Sequence, residues 1–505
     1  MVKRRIPPTS SVPTLLEDMK ALRHAVDVEG SAIYARWKPH IRRRPFQIGG
    51  LNLAHYLALR TRDLRATQAG LMPYGLSSLG RLESRVMPTL DSVIATLDAL
   101  ANTTARFPTY PRLTTFFRGE RILRHNTDEL FGEMVQKSDR HVRIMVTLPT
   151  EAADDYYFIR DLALRGMDVA RINCAHDDPD VWDRMIQHVR KAATETRRTV
   201  KVLTDLGGPK PRTADVIGGK KAIKKGDEVL LLKTAPEKEA AKGFAAATRC
   251  TIPEVIDQLS VGHRVWIDDG KLGAVVDRRV DNGVVLRITH ARPDGDKIKL
   301  EKGLNFPDTY LTLSPLTDED LDALDTVATR ADMIGYSFVQ EADDVHLLQH
   351  ELMRRTPEPN KVGIIAKVET PRAISNLPAL IAAGASENPF GVMIARGDLA
   401  IEVGYERTAE MQEEIMWVCE AAHVPVIWAT QVLERFVKEG MPSRGEMTDA
   451  AMSVRAECVM LNKGAFVSDA VTILDDLLKR MQSHQSKKTP QLRALRAWAD
   501  YTHEG

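Results

Sequence analysis

Lys367 and Glu369 lie two residues apart at the end of a short apolar run, GIIAKVE, so on an extended strand both side chains leave the same face. Asp398 ends the next such run, GVMIARGDL, Thr430 ends PVIWAT, and Asn462 with Lys463 ends ECVMLNK. Two carboxylates on neighbouring strands, with room for water and substrate oxygens, suit Mg²⁺ or Mn²⁺. The ammonium of Lys367 beside them is a fixed positive charge for phosphoryl or enolate oxygens. The plainer reading of the same trio is a salt-bridge network at a barrel rim. In ARGD, Ala395, Arg396 and Gly397 bring backbone N–H groups to an expected helix start, a nest for carboxylate or phosphate.

The spacing says what must position these groups. From 367 to 398 is 31 residues, and from 398 to 430 and from 430 to 462 is 32 each. A buried parallel strand with its amphipathic helix takes about 30 residues, and helix-length stretches such as PRAISNLPALIAAG fill the gaps. Polar residues at the C-terminal ends of such strands are where a (β/α)8 TIM barrel builds its active site. Further strands are expected near 143, 169 and 202. These bring Arg171, Asn173, His176 and Asp205, with Arg212 beyond, to the same cavity, and both arginines are natural phosphate partners. Strands near 334, 365, 393, 427 and 459 bring the count to eight.

About 100 residues between the third and fourth strands exceed one βα unit. Their Gly-Asp, Asp-Asp-Gly and Asn-Gly turns read as a small β-barrel or sandwich, placed to act as a lid. The expected organisation is an α/β chain with an N-terminal helical domain over 1–140 and a barrel from 141–212 and 304–484. The β lid covers 213–303 and a tail 485–505. Ser77 stands where a cap for the third N-terminal helix is expected. Apolar stripes on these helices (Leu51, Leu53, Tyr56, Leu57 and Leu59; Val86, Leu90, Val93, Ile94 and Leu97) need burial. An internal bundle, the barrel's outer helices or a second subunit could supply it, and a homo-oligomer is the expectation.

Net charge is +1 over 505 residues, which gives nucleic-acid binding no support. The charge is uneven, with 22 Lys and Arg against 13 Asp and Glu in residues 1–140, and 48 against 56 in the rest. The four cysteines are far apart, which argues for reduced thiols and against a structural zinc site. No apolar run approaches the roughly 18 residues that span a bilayer. The opening MVKRRIPPTSSVPTLL lacks an apolar core, so cytoplasm is expected, with an organellar transit peptide as the alternative.

From about residue 141 to 482 the chain resembles pyruvate kinase. The segments that carry the likeness, in order, include LRGMDVARINCAH, TDLGGPKPRT, WIDDGKLG, KGLNFP, SPLTDEDLDAL, SFVQEADDV, IIAKVET, GVMIARGDLAIEVG, PVIWATQVLE and PSRGEMTDAA. The resemblance implies a catalytic barrel with an inserted β lid, acting on phosphoenolpyruvate or pyruvate with ADP or ATP. It implies that Lys367 stabilises the phosphoryl group, that Glu369 and Asp398 bind the divalent metal, and that Thr430 serves enolate protonation. It implies phosphate and nucleotide contacts for Arg171 and Arg212, and a monovalent-cation corner at Asn173 and Asp205.

The departures are specific. Ala175 stands where the family has a serine ligand for K⁺, and Leu206 with Lys210 resembles the branch in which a lysine replaces that ion, so no K⁺ requirement is expected. MLNKGAF, with Asn462, Lys463 and Gly464, replaces the family's MLSGETA. The likeness stops before the family's C-terminal regulatory domain. The leading expectation is a phosphotransferase. A regulatory relative that binds without turnover and a Mg²⁺-enolate lyase on another 2-oxo acid are the alternatives.

Overall fold

The computed structural model describes residues 11–101, 109–134, 140–218 and 222–491. Residues 1–10 of the segment read for targeting lie outside them. Eight strands form the barrel: β1 (Arg143–Thr147), β2 (Val169–Asn173), β3 (Lys201–Asp205), β4 (Met333–Tyr336), β5 (Gly363–Val368), β6 (Phe390–Ala395), β7 (Val426–Ala429) and β8 (Cys458–Leu461). All pair in parallel with their sequence neighbours, and β8 closes on β1. The alternation of a strand divides their side chains. Met145, Val169, Leu203, Met333, Ile365 and Met393 share one inner cluster, while Ile144, Val146, Ile364 and Ile394 belong to the layer beneath the helices. The inner parity runs on to the C-terminal ends. Arg171 is two past Val169, Asp205 two past Leu203, and Lys367 two past Ile365.

The insert forms a seven-stranded sheet with its own apolar core. The Asp-Asp-Gly turn is there, with Asp268, Asp269 and Gly270 at φ +57°, +54° and +83°, a region that short polar side chains and glycine tolerate. The last strand of this sheet, Leu304–Asn305, pairs with Ile267 and Trp266 just past residue 303.

Helix α1 (Val12–Trp37) lies across α2 (Arg44–Arg60) and α3 (Val86–Ala101), and α2 packs on the barrel helix Tyr405–Ala422. Leu53, Tyr56, Leu59, Val86, Leu90 and Leu97 are buried in one continuous core with the barrel's outer layer. The stripes are therefore consumed within the chain and no longer argue for a second subunit. Ser77 does not cap α3. Its side chain makes no cap hydrogen bond, and short 3₁₀ turns occupy Ser78–Arg81 and Glu83–Arg85. The Val86 N–H instead donates to Asn52 Oδ1 at 3.0 Å, while Asn52 Nδ2 donates to the carbonyls of Glu83 and Ala421 at 2.7 and 2.8 Å. The cap comes from α2, across space rather than along sequence.

A further helix, α4 (Arg118–Phe131), ends inside the barrel. Leu130 and Phe131 are buried in the inner cluster. A Cβ at Gly363 or Gly391, at the starts of β5 and β6, would stand 2.7 or 2.8 Å from a Leu130 methyl, so these glycines make room for the plug. The expected tail is also tied down as far as 491. Gln485–Ser486 pairs with Thr489–Pro490, Lys487 with Glu457 and Lys488 with Glu83.

Candidate active site

Asp205, 1% exposed, organises the C-terminal mouth of the barrel. Arg171 grips its Oδ2 through Nε at 2.9 Å and through Nη2, and reaches Thr147 Oγ1 with Nη1 at 3.0 Å. Lys367 Nζ lies 3.4 Å from Asp205 Oδ1 and 3.2 Å from Glu369 Oε1, and donates to Ser337 Oγ at 2.6 Å. Gly335 on β4 permits this crowding, since a Cβ there would come within 2.5 Å of Asp205 Oδ1. Burial pushes the Asp205 carboxyl up, but Arg171 and Lys367 outweigh it and hold it below its ordinary range. Burial opposes charge on Lys367 too, and the carboxylates of Asp205 and Glu369 raise it nonetheless.

Glu369 Oε2 accepts from the Phe338 N–H at 2.7 Å. Burial raises its pKa and the Asp398 charge adds to this, against the pull of Lys367. Asp398 sits in the first turn of helix Arg396–Val403 and accepts from Lys210 Nζ at 2.6 Å and Asn305 Nδ2 at 3.4 Å. Asn305 also bonds Glu402, which burial pushes up to about 7. Two carboxylates that repel one another would suit a divalent cation. Among the described residues no group of three or more His, Cys, Asp or Glu converges as a metal cage, so water and substrate oxygens would complete a coordination shell.

The helix anticipated at ARGD begins at Arg396. Gly397 N–H donates to Thr430 Oγ1 at 2.9 Å, so one N–H of the nest is already engaged. Thr430 and Gln431 have φ of +63° and +58°, a costly conformation for a β-branched residue and of a kind concentrated at functional sites. Arg396 holds this corner. It donates to the carbonyls of Ala429 and Thr430 at 2.9 and 2.7 Å, pairs with Asp449 and lies over the Trp428 ring.

Other anticipated residues stand apart. Among the described residues Asn173 Oδ1 accepts only from the Ala175 N–H, at 3.2 Å, and His176 is exposed with no hydrogen bond to its ring. Arg212 is bound to the lid, through Thr251 Oγ1 at 2.9 Å and the Glu301 carbonyl at 3.3 Å. Lys210 contacts Asp398 rather than Asn173 or Asp205, so its charge is delivered to the Asp398 side of the mouth and not to Asn173 and Asp205. Asn462 bonds Glu434 at 3.1 Å. Sequence reasoning gave no site role to Ser337, Asn305, Glu402 or Asp449. Ser337 and Asn305 lay in SFVQEADDV and KGLNFP, whose likeness to the family was the available signal.

A family model described as "Pyruvate kinase, barrel domain" matches residues 139–471. The chain belongs to the pyruvate kinase family. A pyruvate kinase of Mycobacterium tuberculosis is 34% identical over 328 residues, 64% of this chain and 65% of that one. One of Methylorubrum extorquens is 30% identical over 353 residues, 68% of this chain and 70% of the relative. The chain thus spans about 65% of the length of the Mycobacterium relative. Among solved structures, a pyruvate kinase from Cryptosporidium parvum matches with a TM-score of 0.62 at 27% identity, covering 70% of this chain and 72% of that one. Helices α1 to α4 precede the matched range. No helix among the described residues is long and apolar enough to cross a membrane.

Proposed function

We propose that the protein moves a phosphoryl group between phosphoenolpyruvate and ADP, with Mg²⁺ or Mn²⁺ held by Glu369 and Asp398. The observation that supports this most is the buried network of Arg171, Asp205, Lys367 and Glu369 at strand ends in a family member. A bound divalent cation would neutralise phosphate charge. Lys367, fixed on three sides, supplies a second positive charge that needs no reorganisation as the phosphoryl group moves. Arg171, oriented by Asp205 and Thr147, serves as the phosphate clamp. Thr430 Oγ accepts from Gly397, which leaves its own proton free to be given toward the enolate. Lys210 and Asn305 tie the lid's two connections to the Asp398 helix, where closure excludes water.

A coupled assay of pyruvate and ATP formation tests this. Lys367→Met should lower turnover by at least about 100-fold. Wild-type activity no higher than that variant's ends the proposal. One observation favours a second reading, ligand binding without turnover: Asn462 at the end of β8 is engaged by Glu434, where the family has a serine hydroxyl. Calorimetric binding of phosphoenolpyruvate without product would select it.

A further inference from the structure

We infer that a second ligand site lies at the opposite mouth of the barrel, and that it takes a small bipolar metabolite with an anionic group at one end and hydroxyl or ammonium donors at the other. The site is a cavity of about 750 Å³ shared by the N-terminal helices, the starts of β1 and β8 and the ribbon at 485–491. That volume suits a metabolite, and seams between domains are where such sites occur. It contains none of the strand-end residues described above.

One end carries Arg124, His141 and Arg143 beside Asp128 and Glu133. Arg124 is exposed and has no acidic partner among the described residues, and Arg143, 4% exposed, leaves Nε without a hydrogen bond although it pairs with Asp128. Burial pushes the His141 imidazole below its ordinary value, and Arg124 and Arg143 add to this. An anion there would relieve this repulsion. The other end is rich in carboxylate. Glu83, 2% exposed, pairs with Lys488 through one oxygen and leaves Oε2 without a partner among the described residues. Burial pushes Glu420 up to about 7, and Glu83 and Glu457 reinforce it against Lys487 and Lys488. Lys487 pairs with Glu457 and Lys488 with Glu83, and Glu83 Oε2 keeps its acceptor capacity. A buried carboxylate oxygen with no donor is costly, and a ligand hydroxyl or ammonium would satisfy it. A guanidinium N–H of Arg143 and a carboxylate oxygen of Glu83 are thus left without hydrogen-bond partners in one cavity.

The full-length chain should be titrated by calorimetry with fructose 6-phosphate, whose donors are hydroxyls, and with glucosamine 6-phosphate, which adds an ammonium. Inorganic phosphate and fructose 1,6-bisphosphate serve as comparisons. At least one of the monophosphates should bind one to one, at least tenfold tighter than inorganic phosphate. The bisphosphate should bind more weakly than that ligand, because its second phosphate meets the carboxylate end. Arg124→Ala, on an exposed side chain, and Glu420→Gln should each weaken binding at least fivefold, and Lys367→Met should leave it unchanged. No saturable binding of either monophosphate overturns the inference. So does binding no tighter than inorganic phosphate, or binding abolished by Lys367→Met and untouched by Arg124→Ala.

Discussion

Lys210 donates to Asp398 at 2.6 Å, joining the loop that leaves β3 for the lid to the helix that follows β6. Burial pushes the Asp398 carboxyl up, yet Lys210 holds it below its ordinary range. Lys210→Met should therefore destabilise the metal-free protein by about 1–3 kcal/mol, since a half-buried carboxylate loses its cation. Added Mg²⁺ should restore more stability to the variant than it gives the wild type, because the cation takes over the lost charge. Thermal melts with and without Mg²⁺ decide this. Equal metal stabilisation of the two proteins would contradict it.

Turnover is expected to need Mg²⁺ or Mn²⁺ and not K⁺. Ala175 offers no hydroxyl, Asn173 Oδ1 is taken by a backbone N–H, and Asp205 is held by Arg171 and Lys367. Assays in K⁺-free and Na⁺-free buffer at matched ionic strength check this. A tenfold activation by K⁺, about 1.4 kcal/mol of barrier, would count decisively against it.

Leu130→Ala should cost about 2–5 kcal/mol, as for other fully buried leucines. The side chain fills the barrel floor against Gly363 and Gly391, where the wall has little freedom to collapse. Denaturant unfolding measures the loss, and a cost below 1 kcal/mol would show that the plug is dispensable.

How much of this was legible in the sequence depended on distance along the chain. Ile365 and Lys367, or Leu203 and Asp205, are fixed by a two-residue alternation, so the strands and the inward aim of their last residues could be read directly. The Asp268-Asp269-Gly270 turn was equally local. Asn52 capping α3, Leu130 entering the barrel and Lys210 choosing Asp398 over Asp205 are contacts between residues far apart in sequence. No periodicity encodes them. The Ser77 cap failed for the same reason, because a side chain from another helix had already met the need.

His423 gives the seam between the helices and the barrel a pH signature. It is 1% exposed at φ +57°, and its Nε2–H donates to the Ser84 carbonyl at 3.0 Å. Burial pushes the imidazole down to about 4. The folded chain then binds fewer protons than the unfolded chain between that value and about 6.5. Stability should fall as pH drops through this window, by at most about 3 kcal/mol from this group. His423→Asn keeps the left-handed backbone and should make the acid limb of stability against pH shallower. Superimposable limbs would assign the acid sensitivity to other groups.

The helix that ends at Leu130 and Phe131 also bears on how the molecule is made and reused. Both residues emerge from the ribosome ahead of every strand they support, so the residues of the barrel's floor are made before its walls, and β8, which closes the ring against β1, is made last. Grafting this barrel onto another protein would mean carrying that helix with it. The stretch in front of the first strand is part of the vessel, not an attachment to it.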